Sequence, residues 1–334
     1  MEGTTVNEHS LEVLGQFDIV VDKTARGRGS YLVWSDKGLF QLFEYCGTEA
    51  RLEFESRLLM YIGKAGFENV DTIYKTKEDM LFCKDYAGVK YILKRCFSGK
   101  ECDIKKHSDI IKAVETLARL HLLLDNIDDE ELREYECNSV SLMEQYKKHN
   151  REMQRVRTYI RNKNRRTKFE YNILTGFEEY YSYAVDAYSA LEDSDYDVLR
   201  EQAIKDFHIC HGSYNYHNVL LVDNGVAVVN FNHANVNLQL EDLYFFVRKV
   251  MEKHDWDVRL GSQIIDKYSS IKPISESEWQ VLKIFLMYPE KYWKILNQYN
   301  NSRKSWIPDK NVEKLQAVYD KQQKKMEFVK NIWI

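Results

Sequence analysis

Through residue 97 the apolar positions fall in short runs separated by turn-forming residues; beyond it they recur three and four apart over long stretches. Tyr31–Trp34 and Leu39–Phe43 flank Ser35-Asp36-Lys37-Gly38, whose Asp and Gly suit a tight turn, and predict neighbouring antiparallel strands. Met80–Cys83 and Val89–Leu93, joined through Asp85-Tyr86-Ala87-Gly88, predict a further pair. Between these pairs Leu52, Leu58, Leu59 and Ile62 share one face of a helix over Glu49–Lys64. After Phe97-Ser98-Gly99-Lys100 the period changes. Ile110, Ile111, Val114, Leu117, Ala118, His121 and Leu122 predict a helix ending near Leu124, and acidic Asp125–Glu136 a connection or short solvated helix. Long proline-free helices are predicted over Leu142–Arg161 and Phe169–Leu191. One non-helical island follows: strands over Val219–Val222 and Val226–Phe231 about an Asp223-Asn224-Gly225 turn, where Asn-Gly offers positive φ angles. From Leu240 onward the pattern is helical, with breaks near Pro273, Pro289 and Pro308.

This order predicts an α+β protein of two lobes: residues 1–97 form a β-rich lobe with one helix, and residues 98–334 a larger helical lobe containing a single hairpin. Composition agrees with a folded chain, 44% hydrophobic and 30% charged, and only 3 prolines among 334 residues suit long helices. A net charge of -4 gives no global reason to expect nucleic acid or an anionic membrane as partner. The six cysteines show neither zinc spacing nor a disulfide framework. The N-terminus lacks the basic and apolar regions of a secretory signal, and no apolar run is long enough for a membrane span, so cytoplasmic synthesis is expected.

A hairpin set among helices needs a reason, and its flanks supply one. His211-Gly-Ser-Tyr-Asn-Tyr-His-Asn218 precedes it and Asn230-Phe231-Asn232 closes it. That layout matches a kinase catalytic loop and metal segment, in which an Asp two residues after the His takes the substrate proton. An Asn five residues later and the Asp of a following DFG or DFD hold Mg²⁺ on the nucleotide phosphates. The chain resembles the aminoglycoside phosphotransferase/choline kinase superfamily (HGDxxxxN, then DFD), of protein-kinase-like fold, and within it the CotS-type spore coat proteins. Besides the loop, the segments Tyr91–Asp103, Asp242–His254 and Tyr288–Lys294 are similar to that branch, and the resemblance runs from about residue 14 to 332.

The departures carry the functional expectation. Ser213 stands where the resemblance implies the catalytic base, and Asn230 and Asn232 where it implies the two metal-segment aspartates. Mg²⁺ is usually held by one or two carboxylates plus phosphate, so Asn218, Asn230 and Asn232 form a degenerate metal set. A serine hydroxyl is a negligible base where a carboxylate contributes about 10²–10⁴-fold. In the small lobe the phosphate-binding lysine of the superfamily maps to Phe43 and its glutamate partner to Glu55, which is expected to lack its cation. Lys37, Lys90 or Lys94 could substitute for the missing lysine, though the sequence gives no geometric support for that relocation; Arg26-Gly27-Arg28-Gly29 matches the first-hairpin turn over the phosphates, or is simply a turn. Arg26, Gly27, Arg28, Gly29, Phe43, Glu55 and Lys94 thus outline a vestigial nucleotide cleft. His211 is read as bracing the loop, His121 as a packed core histidine, and Asp242 as the superfamily's brace for the loop backbone.

The resemblance therefore implies a spore coat protein acting in structure and assembly, made in the mother cell and deposited on the spore, with other coat proteins as partners and no cofactor expected. The alternatives are an ATP- and Mg²⁺-dependent phosphotransferase acting on a small molecule or coat protein, and a nucleotide binder without turnover. Residues 147–168 hold ten Lys or Arg against the single acid Glu152. Lys147, Lys148, Arg151, Arg155, Arg161, Arg165 and Arg166 would dock an acidic protein or a polyanion; equally, they form a solvated helix face. No nucleic-acid motif accompanies them. Tyr, at 23, outnumbers Phe (15) and Trp (6) together, and is expected as buried, hydroxyl-paired core with some residues facing coat neighbours.

Overall fold

A computed structural model describes residues 8–125, 127–135, 139–302 and 309–332; the N-terminal stretch, Cys137 and the break expected at Pro308 lie outside them. The chain divides into two compact units, Met1–Cys137 with Asp206–Val236, and Asn138–Lys205 with Asn237–Ile334. The boundary expected after residue 97 falls within the first unit, which also takes in the catalytic-loop segment and its hairpin.

In the first unit, strands β1 (Val21–Arg26), β2 (Tyr31–Ser35) and β3 (Gly38–Glu44) are followed by helix α1 (Glu49–Lys64). The short β4 (Ile73–Tyr74) and β5 (Cys83–Lys84), then β6 (Lys90–Arg95) and β7 (Lys100–Glu101), come next. The sheet is antiparallel in the order β1-β2-β3-β6-β4, with β5 also paired to β6. Alternation buries Val33, Phe40, Leu42 and Leu93 with Val13 and Leu14 of the preceding 3-10 helix and Phe17 just after it. Helix α1 begins where predicted because Thr48 caps it, its hydroxyl accepting from Arg51 N at 3.2 Å. Helices α2 (His107–Leu123) and α3 (Glu130–Arg133) follow. The unit closes with β8 (Ile209–Cys210), β9 (Val219–Val222), β10 (Gly225–Val228) and β11 (Asn235–Val236), in small sheets β10-β9-β7 and β11-β8.

Three boundaries differ from the sequence pattern. Pairing in the second β pair begins only at Cys83, and β6 runs on to Arg95, which brings Lys94 into the sheet. Strand β10 stops at Val228 because Asn230 turns left-handed, at φ 67°. The turn residues of that hairpin are Asp223 and Asn224; Gly225 pairs with Val222 and alone takes the positive φ, so Asn-Gly is not the turn centre.

The second unit is helical: α4 (Leu142–Arg161), α5 (Lys168–Glu192), α6 (Tyr196–Lys205), α7 (Leu240–Met251), α8 (Val258–Ser269), α9 (Glu276–Met287), α10 (Glu290–Asn301) and α11 (Asp309–Asn331). Helix α4 forms over the predicted residues, and α5 gains one at each end through the Thr167/Glu170 capping box. Tyrosine builds this core. Tyr146 stacks on Tyr288 at 3.7 Å, and Tyr180 on Tyr292 at 4.4 Å. Three of these four hydroxyls reach internal acceptors: Tyr288 donates to Asn150 Oδ1 at 2.8 Å, Tyr292 to Ile173 O at 3.0 Å and Tyr180 to Val318 O at 3.0 Å. Tyr159 and Tyr171 are among the exposed ones. No described helix is long and apolar enough to cross a membrane.

Candidate functional site

Strand β8 delivers His211 to the start of the loop, fully buried between the rings of Tyr214 and Phe231. Its Nε2 lies 3.0 Å from Val229 O, and its Nδ1 accepts from Ser213 N at 3.2 Å. A ring that must accept at Nδ1 and donate at Nε2 is a neutral imidazole of fixed tautomer, a brace for the loop. Gly212 is required by geometry: φ is +73°, and a Cβ there would stand 2.0 Å from His233 O. The Ser213 carbonyl accepts from Asn215 Nδ2 at 2.7 Å and Asn218 Nδ2 at 2.9 Å, which sets the loop's curvature.

Those bonds orient Asn218 with its Oδ1 toward the metal segment, where Asn230 Nδ2 donates to it at 2.7 Å. The two amides expected to face a cation satisfy each other. Asn232 is exposed, and its contribution is the backbone carbonyl, held by Arg51 Nε at 3.2 Å and Nη2 at 3.0 Å; Arg51 also reaches Ala234 O. The donor set does not fit Mg²⁺. It comprises a serine hydroxyl and neutral amides, one of whose oxygens is already engaged, where the ion takes carboxylates in near-ideal octahedral geometry. Nor is there a carboxylate at Ser213 to accept a proton.

Beneath this segment, Glu55 is not without a cation, contrary to the sequence expectation. Lys94 Nζ lies 2.6 Å from Glu55 Oε1 and 2.7 Å from Asp71 Oδ2, with both carboxylates and the ammonium buried. Strand register explains the substitution. Phe43 pairs with Ile92 and Gln41 with Lys94, and cross-strand partners project to the same face. The lysine has moved one strand over and two residues along, still on the face of Phe43. Asp71 Oδ2 also accepts from Asn230 N at 2.9 Å, so the buried triad is tied to the metal segment. Burial pulls the Lys94 ammonium down, but Asp71 and Glu55 outweigh it and hold it above its ordinary value. Burial pushes Asp71 up, Lys94 opposing and Glu55 adding to the rise. Lys94 is 3% exposed, so its charge is spent inside the protein. Of the other nearby lysines, Lys37 pairs with Asp18, and Lys90 with Glu49 at 2.7 Å.

Arg26 ends β1, and Gly27, Arg28 and Gly29 form an exposed or half-exposed hairpin turn, closed by Gly27 N donating to Ser30 O at 2.9 Å with Gly29 at φ +71°. His121 is fully buried on α2. Asp242 is buried on α7, in the second unit. Asp71 and Arg51 were missed by sequence reasoning: Asp71 sits in a short non-periodic stretch after α1, and Arg51 reads as an ordinary first-turn helix residue.

Also in the second unit, Lys147, Lys148, Arg151, Arg155, Arg161 and Arg165 are exposed. Arg166 instead folds back, its Nε donating to Ile160 O at 2.8 Å, and Arg161 shares Glu178 with Arg157. Lys147, Arg151 and Arg155 line a groove between α4 and α5 with Tyr181, Val185 and Tyr188.

A family model described as "Spore coat putative kinase YutH" matches residues 11–332. Spore coat protein S of Bacillus subtilis (strain 168) is 23% identical over 146 residues, a match covering 43% of this chain and 42% of that protein's length. An aminoglycoside phosphotransferase from Alicyclobacillus acidocaldarius superposes with a TM-score of 0.85 at 15% identity, over 99% of this chain and 96% of the other. A spectinomycin phosphotransferase, solved with ADP and spectinomycin, does so at 0.68 and 11% identity, over 97% and 99%. The fold is that of the kinase-like aminoglycoside phosphotransferases.

Proposed function

The chain belongs to the spore coat putative kinase YutH family, and on that premise we propose that it is a binding and assembly element of the spore coat that does not transfer phosphate. The observation that carries this reading is the Asn230–Asn218 amide pair, 2.7 Å apart, at the position where the fold's kinases hold a metal. Phosphoryl transfer rests on positioning and on neutralising charge. Ser213, Asn230 and Asn232 supply no carboxylate for either, and the one relocated lysine is enclosed by Glu55 and Asp71. The loop bonds that remain, through His211, Asn215 and Asn218, maintain shape.

The partner proposed is an acidic coat protein docking on the exposed face of α4. Lys147, Lys148, Arg151 and Arg155 carry no ion pair among the described residues, so their charge is available for complementarity. Two measurements test the reading. Purified protein incubated with ATP and Mg²⁺ should release no phosphate above the blank; turnover lost on Asn230→Ala would refute it. Spores carrying the triple charge reversal Lys147→Glu, Arg151→Glu and Arg155→Glu should incorporate less of the protein into the coat at unchanged melting temperature. Normal incorporation would rule out this face as the docking surface.

A further inference from the structure

Helices α4 and α5 pack antiparallel, and their side chains fix the register. Asn150 Nδ2 donates to Ala184 O at 3.3 Å, and about two turns on Arg157 and Arg161 share Glu178. Residue 150 of α4 is therefore level with 184 of α5, and 157 with 178. Each helix carries an outward stripe of one sign. On α4, Lys147, Lys148, Arg151 and Arg155 recur three and four apart, all exposed and without an ion pair among the described residues. On α5, Glu179, Asp186 and Glu192 are exposed and engaged by hydroxyls rather than cations: Tyr183 at 3.1 Å, Ser182 at 3.2 Å and Tyr188 at 2.8 Å.

Between the two stripes runs an open groove of about 500 Å³, with Asn150 in its floor and Tyr181, Val185 and Tyr188 along the α5 wall. No carboxylate lines it, and Val185 is 40% exposed. The face thus reads, from one side to the other, as cations, an apolar groove and carboxylates. Such an order is complementary to itself once it is turned over. The chain, with a net charge of -4, is also itself an acidic protein.

We propose that the acidic partner of this face is a second copy of the chain, the two copies packing their α4/α5 faces together about a twofold axis that runs along the groove. The inference rests on the docking role proposed for α4 and names its partner. Rotation about that axis lays α4 of each copy over α5 of the other at the same level, which sets Arg155 opposite Glu179, and Arg151 and Lys148 opposite Asp186, in both halves of the contact. A twofold axis across the helices would instead lay α4 on α4 and bring like charges together. Glu144 falls near Glu192 at the rim, a like-charge contact that Lys147 and Lys148 offset. Tyr181, Val185 and Tyr188 of the two copies close on each other at the axis, an apolar centre inside a charged rim. Helix α4 has 20 residues and is about 30 Å long, and packed axes lie about 10 Å apart, so the face offers roughly 600 Å² per copy, at the lower end of specific interfaces.

Analytical ultracentrifugation of the full chain tests this with two charge-reversed variants, Lys147→Glu/Arg151→Glu/Arg155→Glu on α4 and Glu179→Lys/Asp186→Lys on α5. Wild type is expected to form dimers and nothing larger. Each variant alone should dimerise at least about tenfold more weakly, because attractive contacts become like-charge ones in both halves of the interface. An equimolar mixture of the two should dimerise at least as tightly as wild type, since the acidic α4 of one variant then faces the basic α5 of the other, and each original stripe keeps its opposite. Should a variant not fold, Arg151→Glu and Asp186→Lys alone carry the same mixing test. Wild type that stays monomeric to about 100 μM, where an interface of this size should be occupied, overturns the proposal. So does a variant that dimerises like wild type, a mixture that stays monomeric, or growth into species larger than the dimer. A monomeric wild type whose incorporation into the coat still falls on reversal of the α4 charges overturns the dimer and leaves the acidic coat partner standing.

Discussion

Replacing Lys94 by methionine separates a structural lysine from one kept for a ligand. The ammonium is bonded at 2.6 Å to Glu55 and 2.7 Å to Asp71, all three side chains being at most 5% exposed. Glu55 Oε2 and Asp71 Oδ1 have no partner of their own, so Lys94 is the cation that makes these carboxylates tolerable inside the protein. Removing one member of a buried ion pair costs about 3–5 kcal/mol because it strands the other charge. Here two are stranded, which puts Lys94→Met at the upper end of that range at pH 7.5. Asp71→Asn should cost about 1 kcal/mol or less, since it relieves a carboxyl already pushed up by burial and by Glu55, and keeps a polar group beside Asn230 N. The signs predict a pH signature. A carboxyl raised in the folded state contributes stability that is present below its unfolded value and lost as pH rises through its folded value. Without Lys94 the Asp71 carboxyl rises further, so the deficit of the variant should shrink as pH falls from 7.5 to 5. Urea unfolding of the full chain measures both effects. A loss under about 1 kcal/mol, or a deficit independent of pH, would refute the argument and return Lys94 to the list of residues available to a phosphate.

Three further outcomes follow from the geometry. Asn230→Asp replaces the donor at 2.7 Å from Asn218 Oδ1 by an acceptor, next to Asp71, and should cost about 2 kcal/mol by thermal melting; full recovery in 10 mM Mg²⁺ would contradict the misfit of the metal set. Gly212→Ala must displace His233 O, 2.0 Å from the new Cβ, and should lower stability by more than about 2 kcal/mol, whereas Gly66→Ala, at φ +93° in open space, should cost about 1 kcal/mol. Glu241, fully enclosed with Tyr196 donating to it at 3.1 Å, is pushed up to about 8 by burial. Its contribution is complete below about 4.5 and lost as pH rises through 8, so wild type should lose stability relative to Glu241→Gln between pH 5 and 9; parallel unfolding curves at the two pH values would refute this.

Helices and hairpins were legible where periodicity and caps coincide, as over Glu49–Lys64 and Leu142–Arg161. The fold class followed from one hairpin amid helices with HG…N at its entrance. What was not legible depends on register and on long-range contact. With Phe43 at the lysine position the sequence left Glu55 without its cation, and it offered no geometric support for Lys94 as the substitute; pairing of β6 with β3 through Arg95 turns Lys94 inward. Asp71 lies 23 residues from Lys94 and 159 from Asn230, separations at which local pattern carries no information. The tyrosine excess resolves largely into packing in the second unit. There a phenol offers ring area for the core and a hydroxyl for carbonyls such as Ile173 O and Val318 O.

The three substitutions in the loop and metal segment read as losses in the sequence, but at Asn230 the structure gives the amide a positive role. A carboxylate at that position could not donate to Asn218 Oδ1, and it would stand beside Asp71, which already takes the Asn230 backbone N–H. In an active kinase a bound cation offsets that concentration of negative charge. Here the offset comes from within, because the lysine has moved to β6 and pairs with two carboxylates, while an amide closes the remaining gap. Each change makes the others favourable: Lys94 permits Asp71, Asp71 disfavours a carboxylate at 230, and Asn230 ties off Asn218. A set coupled in this way would not be reversed by one substitution, since restoring Asp at 230 alone meets an interior already arranged around its absence.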